Sequence, residues 1–514
     1  MSSIKISSER ESFYLCVIQA NLIDRINEFI RNIHHKSVIL LAFFLYISLW
    51  LTIQTLKQST EQNSNQLRPS LNSSFYFILN HLFQSNFKII LIDPFVLDFL
   101  FIYQLPFDKL DKQLVTFAIV NESVQLLLRT LQQTPLFSVQ TSITTQDNHR
   151  ISIDHIFITY QHKILHLAVL HKYYSFYLIQ SNHLRFPDDD NIHLPFGDKL
   201  RAVDHIESEP YEYLFYYPRN VPHFLWLYET SEFLHCNRQL ADQMENDLHL
   251  YQNASQLNIT VVPMKNIAFA LNKLQKHYWL AGGTLLGWYR HCGLIPYTLD
   301  ADFGLYAEEY DENIRSHFLG NPITYLWGAL GLVNDSLEFR LYTGRFTLDL
   351  FWAYRDGDHR WCGYQINRVK FRRTLPLLEK LCSCDLFGHR FSVPCSPVQY
   401  LDSEYGKDRW KTPLEKNYTW TNMKYHSIWD DISWMYAVRL YTRQGKLRTD
   451  KFAIEWISKH FNYSLTSIPS FLNVLPNHPV TLPPLKATLV YGTPMKRKNS
   501  RKKAAKNDEK KDVI

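Results

Sequence analysis

The chain has 514 residues and a formal net charge of +6, and 46% of its residues are hydrophobic and 15% aromatic. This length predicts roughly two to four domains, and this composition excludes a disordered or low-complexity protein. A single apolar run is long enough to cross a bilayer, which excludes a multi-pass transporter, and seven cysteines are too few for a small disulfide-stabilised scaffold.

The N-terminal region predicts one membrane anchor, at residues 37–54. The run from Val38 to Ile53 has no charge, and about 18 helical residues span roughly 27 Å, enough for a thin bilayer. Its apolar positions surround the helix, which disfavours a core helix, and 36 residues precede it, which disfavours a cleaved signal peptide. Residues 1–36 are therefore predicted to be a cytosolic tail and residues 55–74 a polar stem.

Glycosylation signals predict the orientation of this anchor. All the Asn-x-Ser/Thr sequences follow the apolar run, at Asn72, Asn121, Asn253, Asn258, Asn334, Asn417 and Asn462. The predicted topology is a single-pass type II membrane protein whose large C-terminal part is lumenal.

The cysteines agree with this topology. Cys16 lies alone on the cytosolic side, and an even six lie on the lumenal side: Cys236, Cys292, Cys362, Cys382, Cys384 and Cys395. Six cysteines in an oxidising compartment allow up to three disulfides. A zinc site built from the last four is the alternative, although Cys-x-Cys matches the usual zinc spacing poorly.

The net charge belongs to one end of the chain. The last 19 residues carry nine Lys or Arg and three Asp or Glu, so the remainder is neutral and offers no nucleic-acid-binding face. Residues 491–514 are predicted to be a basic, disordered tail. A nuclear signal is the alternative interpretation of this tail, but the predicted topology places it in the lumen.

Residues 75–230 predict a first lumenal α/β domain without a chemical motif. The predicted elements are strands at Lys88–Pro94 and Thr116–Val120, a helix at Val124–Leu131, and hairpins within Ile151–Leu178. The aromatic-rich stretch Tyr211–Tyr228 is expected to pack at the join with the next domain.

Residues 231–490 are predicted to be a second lumenal domain, the catalytic one, and they contain the sharper signals. A helical pattern at Asn266–His277 precedes a predicted strand end at Trp279–Ala281, a tight turn at Gly282-Gly283-Thr284 and a helix opening at Leu285–Arg290. Turn glycines let the backbone approach a phosphate, and free N–H groups at a helix start favour anions. Donor binding is therefore predicted at Gly282, Gly283 and Thr284, with Tyr289 and Arg290 as further contacts.

Three acidic residues predict a metal centre. Asp300 and Asp302 lie two apart in an apolar run, so a strand would direct both carboxylates to one face, where they repel unless a proton or cation intervenes. Alone, this pair equally fits a polar strand end with capping aspartates. Asp349 adds a charge in the middle of a second apolar strand, in a hairpin formed by Ser336–Tyr342 and Phe346–Tyr354. Glu338 is the fallback, or pairs with Arg340 or Arg345.

This layout, a Gly-Gly turn followed by Asp-x-Asp and a strand-borne Asp, is that of the nucleotidyltransferase fold. In that fold, carboxylates hold Mg²⁺ or Mn²⁺ over nucleotide phosphates, and hard oxygen ligands suit both ions. The fold class expected for the whole chain is α/β, with a nucleotidyltransferase-like mixed-sheet catalytic domain preceded by a single transmembrane helix and a second α/β lumenal domain.

The sequence resembles the LicD-type transferases, the family that includes fukutin and bacterial phosphocholine transferases. The resemblance is carried by Trp279–Tyr306, Leu337–Phe351, and Val393–Gly406 with Trp410 and Pro413. Two features depart from it: the spacing from Tyr405-Gly406 to Trp410 is one residue longer than usual, which weakens a role for Lys407 or Trp410, and the basic tail has no counterpart.

This resemblance implies a metal-dependent transfer of a phosphate-linked alcohol from a CDP-linked donor to a glycan, with release of CMP. The implied case is ribitol 5-phosphate from CDP-ribitol, placed on an O-mannosyl glycan of the dystroglycan type in the Golgi. By resemblance, Asp300 and Asp302 match the metal-binding pair and Asp349 the third acidic residue, which is also our candidate proton acceptor. A complex with other Golgi glycosyltransferases is a further expectation.

Two groups of alternatives stay open at the level of sequence. Phosphocholine or glycerol phosphate is an alternative transferred group, and transfer of the nucleotide itself is an alternative reaction. A non-catalytic Golgi scaffold is the alternative from another functional class.

Overall fold

The computed structural model describes residues 74–145, 151–181, 194–252, 254–298, 300–344, 346–366, 368–413, 424–430, 433 and 437–448. The predicted cytosolic tail, the anchor at 37–54, the stem up to residue 73 and the basic tail at 491–514 lie outside these residues. Within the described ranges, no helix combines the length and the apolar composition needed to cross a membrane.

The first sheet is mixed and has nine strands. They are β1 (Ile90–Leu91), β2 (Leu114–Val120), β3 (Ser138–Thr145), β4 (Ile151–Tyr160), β5 (Lys163–Tyr173), β6 (Phe176–Ile179), β7 (Arg201–Val203), β8 (Ser208–Tyr211) and β9 (Phe215–Pro218). Their order is β3–β4–β5–β2–β1–β9–β8, with β6 and β7 continuing from β5. The pairs β2–β5 and β1–β9 are parallel, and the other pairs are antiparallel.

Four helices accompany this sheet: α1 (Ser74–Gln84), α2 (Pro94–Leu97), α3 (Val124–Gln132) and α4 (Val221–Glu229). Helix α3 buries Val124, Leu127 and Leu131, which lie three and four residues apart on one face and pack into the sheet's core. The predicted strand at Thr116–Val120, the helix at Val124–Leu131 and the hairpins after Ile151 are confirmed.

The predicted strand at Lys88–Pro94 is much shorter in the structure. It ends at Leu91 because Asp93 caps helix α2: its Oδ1 accepts the N–H of Val96 at 3.3 Å, and Pro94 occupies the first helical position. The aromatic stretch Tyr211–Tyr228 forms β9 and α4 and packs into the first core, as expected for a packing segment.

The second sheet, also nine-stranded and mixed, holds the site. Its strands are β11 (Tyr278–Ala281), β12 (Asp300–Tyr306), β13 (Tyr325–Leu332), β14 (Asp335–Tyr342), β15 (Thr347–Asp356), β16 (His359–Ile366), β17 (Val369–Pro376), β20 (Lys424–Ile428) and β21 (Val438–Leu440). The order is β20–β17–β16–β15–β14–β13–β21; β12 pairs with β15 and β11 with β12. Only the β12–β15 pair is parallel among the described strand pairs of this sheet.

A three-stranded sheet and five helices complete the described fold. The strands are β10 (Phe233–Leu234), β18 (Leu381–Leu386) and β19 (His389–Pro394), in the order β10–β18–β19. The helices are α5 (Arg238–Asn246), α6 (Ala254–Lys273), α7 (Gly282–His291), α8 (Glu312–Phe318) and α9 (Pro397–Tyr405). The second core contains four almost fully buried tryptophans: Trp279, Trp288, Trp352 and Trp410. The boundaries proposed for the two lumenal domains stay predictions.

Two disulfides join the cysteines of the described residues. Cys236 bonds to Cys292 and Cys382 to Cys395, while Cys362 and Cys384 are buried free thiols. The four cysteines considered as zinc ligands are therefore not a zinc site, because two of them are oxidised. In the described part of the chain, the group of three ligand-type side chains with atoms within 4.8 Å is Glu232, Cys382 and Cys395, and the same disulfide removes it as a metal site.

Candidate active site

The two strands that carry the predicted carboxylates lie side by side. Strands β12 and β15 run parallel, with Asp302 opposite Asp349 and Asp300 opposite Thr347. Register partners in a parallel pair face the same side of the sheet, as do residues two apart in one strand. Residues 47 positions apart in sequence thus meet on one face, as the sequence predicted.

The Gly282 turn closes around the Asp302 carboxylate. Ala281 of β11 lies opposite Asp302, and Gly282 follows it with φ = +52°. A Cβ at position 282 would lie 2.5 Å from Asp302 Oδ2, which is too close for any side chain. Thr284 Oγ1 accepts the Asp302 N–H at 2.8 Å. The predicted change from strand to helix is confirmed, but the separate turn predicted at Gly282-Gly283-Thr284 is wrong: helix α7 begins at Gly282 itself and not at Leu285.

Asp349 forms a buried ion pair with Arg340 of the neighbouring strand β14. Arg340 Nε donates to Asp349 Oδ1 at 2.8 Å and Nη2 to Oδ2 at 2.7 Å, and both side chains are at most 4% exposed. Glu338 contacts the same guanidinium at 3.0 Å. The sequence allowed a Glu338–Arg340 pair but did not predict that Arg340 also binds Asp349.

Helix α9 brings to the site a further carboxylate, that of Glu404, which the sequence did not predict. The Glu404 side chain is 1% exposed and forms an ion pair with Arg373 of β17. Burial raises the pKa of Glu404, while Arg373, the Gly282 N–H and the Tyr405 side chain act in the opposite direction. The Glu404 carboxylate therefore faces the same glycine turn that closes around Asp302.

Charge is concentrated at Asp302. Burial, followed by the negative charges of Asp300 and Asp349, raises the pKa of Asp302 well above its usual value. Glu404 acts in the same direction, and Arg373 acts against it. This repulsion is the condition that the sequence predicted for a cation site.

The flanking acids also carry perturbed pKa values. Burial raises the pKa of Glu338 to about 8, although the Arg340 charge opposes this. Burial likewise raises the pKa of Asp349 against the same arginine. Arg340 and Arg373 thus compensate the charges of the flanking carboxylates, which are Glu338, Asp349 and Glu404. The central pair, Asp300 and Asp302, forms an all-oxygen donor set of the kind that suits Mg²⁺ or Mn²⁺. Because Gly282 has no Cβ, the Asp302 carboxylate has room beside it. The residues present therefore fit a divalent cation.

Two residues predicted to bind the donor, Tyr289 and Arg290, instead contact Trp410. Arg290 is 2% exposed; its Nη1 donates to the Trp410 carbonyl and its Nε to His291 Nε2 at 3.2 Å. The donor-binding role predicted for Arg290 is therefore corrected to a packing role, because its guanidinium holds the segment after α9. Tyr289 is half-buried with its ring against Trp410, centroids 5.6 Å apart.

The segment after α9 is also fixed from the helix itself. Asp402 Oδ1 accepts the Trp410 Nε1–H at 2.7 Å and the Asp408 N–H at 2.9 Å. Trp410 is 1% exposed, so its role in the structure is packing. Lys407 is exposed.

Comparisons with known proteins agree with this geometry. Residues 275–396 match the family described as LicD/FKTN/FKRP, nucleotidyltransferase domain. Ribitol-5-phosphate transferase FKTN of Homo sapiens is 30% identical over 307 residues, which are 54% of this chain and 63% of the human protein. The Mus musculus protein of the same name is 35% identical over 184 residues, 34% of this chain and 38% of the mouse protein.

A nematode protein matches at a similar level. Uncharacterized protein T07A5.1 of Caenorhabditis elegans is 30% identical over 237 residues, 44% of this chain and 62% of the nematode protein. The chain thus spans less than two thirds of the length of these curated relatives. Residues 275–396, which include β12 and β15, match a LicD-type nucleotidyltransferase domain. Over about half of its length, the chain is similar to proteins named ribitol-5-phosphate transferase FKTN.

Proposed function

We propose that this protein is a phosphotransferase that moves ribitol 5-phosphate from CDP-ribitol to a glycan of a glycoprotein and releases CMP. The observation that carries the proposal is the parallel pairing of Asp302 with Asp349 beside the Gly282 turn, within residues that match the LicD domain. The relatives named ribitol-5-phosphate transferase support the choice of the transferred group.

In this proposal the carboxylates of Asp300 and Asp302 would hold one or two Mg²⁺ or Mn²⁺ ions. Asp349, the third ligand predicted from the sequence, is assigned to proton transfer instead, because Arg340 binds both of its carboxylate oxygens. When bound, the cation supplies charge neutralisation for the donor diphosphate and the departing CMP. The start of α7 offers N–H groups to the phosphates, and the Gly283 and Thr284 amides are our candidates there, since the Gly282 N–H faces Glu404.

Asp349 is the proposed proton acceptor. The acceptor hydroxyl oxygen forms a new bond to the transferred phosphorus, the bond from phosphorus to CMP breaks, and the hydroxyl proton passes to Asp349. Arg340 orients this carboxylate through two hydrogen bonds, and each carboxylate oxygen keeps a second lone pair for a proton.

A panel of CDP-alcohols tests the reaction and the transferred group together. The full chain is incubated with CDP-ribitol, CDP-glycerol or CDP-choline and a glycan acceptor, with Mg²⁺ or with EDTA, and CMP is measured. We expect CMP release from CDP-ribitol that requires Mg²⁺ and disappears in Asp300→Asn/Asp302→Asn. Unchanged turnover in that variant would refute the site, and a nucleotide-capped acceptor without free CMP would indicate nucleotidyl transfer instead.

A scaffold without activity predicts a different outcome. It should bind neither Mg²⁺ nor CDP, so calorimetry with both ligands would show no metal-dependent heat of nucleotide binding. The repulsion at Asp302 favours the enzyme, because the negative charges of Asp300, Asp349 and Glu404 all act on this carboxylate and a bound divalent cation would relieve the repulsion.

We further propose that the reaction takes place in the Golgi lumen, with the protein anchored by residues 37–54 and its acceptor an O-mannosyl glycan of the dystroglycan type. The two disulfides support an oxidising compartment. Protease digestion of sealed Golgi vesicles should leave the catalytic domain intact, and its degradation without detergent would contradict this placement. A complex with other Golgi glycosyltransferases is part of the same proposal.

A further inference from the structure

The ion pair between Glu404 and Arg373 lies next to the proposed cation site but outside the pair that would hold the ion. Glu404 lies beyond residue 396, where the family match ends. Its side chain is 1% exposed and that of Arg373 10%, so both charges have fixed positions in a mostly dry environment.

The two members of the pair carry opposite charges close to Asp302. The Glu404 carboxylate accepts the Gly282 N–H, Gly282 lies against the Asp302 carboxylate, and the Arg373 guanidinium pairs with Glu404. A divalent cation at Asp302 would therefore be attracted to Glu404 and repelled by Arg373. Electrostatic effects of this kind act at several ångströms in a protein interior and need no direct contact.

The backbone connects the pair to the same turn. The Gly282 N–H faces the Glu404 carboxylate, and the Gly282 Cα lies against the Asp302 carboxylate. Arg373 crosses from β17 to α9, so the pair also fixes α9 against the sheet that carries the site.

We propose that Glu404 and Arg373 are a positioning pair that sets the affinity of the Asp300–Asp302 site for a divalent cation, with Glu404 increasing the affinity and Arg373 limiting it. This inference rests on the proposed function, since it assumes that the cation binds to Asp300 and Asp302. The pair acts through Asp302 and the Gly282 turn, and neither member is proposed to contact the substrate.

Binding of Mn²⁺ tests the pair without any measurement of activity. Free Mn²⁺ is titrated by electron paramagnetic resonance at pH 7.5 with the full chain in detergent, for the wild type, Glu404→Gln, Arg373→Gln and the double variant. We expect Glu404→Gln to weaken binding and Arg373→Gln to tighten it, each on the order of tenfold. The double variant should bind within a few-fold of the wild type, because it removes both opposing charges.

A merely structural role gives a different pattern, because loss of either partner would then loosen α9 and weaken binding in both single variants. That result, or two unchanged affinities, would overturn the proposal. If Arg373→Gln does not fold, comparison of Glu404→Gln with the double variant still isolates the effect of removing Arg373, and the double variant should bind Mn²⁺ more tightly than Glu404→Gln.

Two controls separate this inference from the proposed function. Arg219→Gln and Glu207→Gln remove the charges of an exposed ion pair beside the first sheet and should leave Mn²⁺ affinity unchanged. Asp302→Asn should abolish binding. If the wild type binds no Mn²⁺, the metal-dependent function fails together with the inference; if Asp302→Asn abolishes binding while the pair variants show the structural pattern, only the inference fails.

Discussion

At the scale of single residues, the Asp302 carboxylate occupies the space in which a side chain at position 282 would stand. Glycine is required there for two separate reasons: its φ of +52° lies in the left-handed region, and a Cβ would approach Asp302 Oδ2 to 2.5 Å. A glycine that looks like an ordinary turn residue in the sequence is therefore part of the acidic site.

Replacement of this glycine should damage both stability and activity. We expect Gly282→Ala to lower the free energy of unfolding by about 1–3 kcal/mol, because alanine is strained at positive φ and must displace Asp302. Metal-dependent CMP release should fall at least about tenfold, since misplacement of a catalytic group by 1 Å has large effects on rate. Urea unfolding and the CMP assay measure the two effects.

Gly283→Ala is the matched control for this substitution. A Cβ at position 283 would meet only Ile295 Cδ1, at 3.9 Å, and Gly283 has no positive φ. Alanine in a helix should leave stability unchanged or raise it by up to about 1 kcal/mol. Equal losses in the two variants would show that the contact between Gly282 and Asp302 does not matter.

The sequence predicted part of this site because part of its information is local. The i, i+2 spacing of Asp300 and Asp302 and the mid-strand position of Asp349 are visible in short segments. Glu404 is about 100 residues away and reaches Asp302 only through tertiary packing. One feature of the sequence could have indicated Glu404: it lies four residues after Tyr400, so the two side chains share one face of a helix. Because Tyr400 is buried, this spacing places an acidic residue on the buried face.

At the scale of elements, helix α6 shows why boundaries are harder to predict than the elements themselves. The sequence pattern predicted a helix at Asn266–His277, but α6 begins at Ala254, passes through Pro263 and ends at Lys273. Gln275, just after the last helical residue, has φ = +53° and so turns the chain out of the helix. The Lys276 N–H donates to the Leu271 carbonyl, and the Gln275 N–H donates to the Asn272 carbonyl. This is a Schellman motif without glycine, so the usual sequence signal for a helix end is missing.

The disulfide between Cys236 and Cys292 fixes the C-terminal end of helix α7. It closes a loop with a sequence separation of 56 residues, for which the loss of chain entropy in the unfolded state corresponds to about 4 kcal/mol. We expect Cys236→Ala/Cys292→Ala to lower the free energy of unfolding by an amount of this order. Urea unfolding under non-reducing conditions measures the change.

The same comparison under strong reductant is the control for this disulfide. Reductant opens the bond in the wild type, so the difference between wild type and variant should become small if the cross-link is its cause. A difference that persists would instead trace to the packing of the sulfur atoms.

At the scale of the whole molecule, local patterns predicted several strands of each nine-stranded sheet but not their arrangement. Short apolar segments identify β2, β14 and β15, whereas the parallel pairing of β12 with β15 joins segments separated by helix α8 and by strands β13 and β14. Such long-range pairing leaves no trace in a short segment. The order of the Gly-Gly pair, Asp-x-Asp and the strand-borne Asp predicted the nucleotidyltransferase fold, and the resemblance to the LicD-type family agreed with it.

The two cores each contain a buried histidine that should make the whole molecule less stable in mild acid. Burial and the neighbouring Arg290 lower the pKa of His291 to about 4, and burial and His155 lower the pKa of His166 well below its usual value. Both side chains are neutral in the folded protein at neutral pH and take up a proton more readily when it unfolds. The free energy of unfolding therefore carries their full contribution above the unfolded pKa of about 6.5, and loses it as the pH falls toward the folded values.

We expect the wild type to be less stable at pH 5 than at pH 7, with His291 contributing at most about 3 kcal/mol over the full interval between about 6.5 and 4. His291→Gln keeps an acceptor for the Arg290 Nε–H but cannot take up the proton, so its loss of stability between pH 7 and pH 5 should be smaller. Urea unfolding at both pH values measures this, and His205→Gln at an exposed position should keep the wild-type dependence. An equal loss in wild type and His291→Gln would show that protonation of His291 does not limit the acid stability of the molecule.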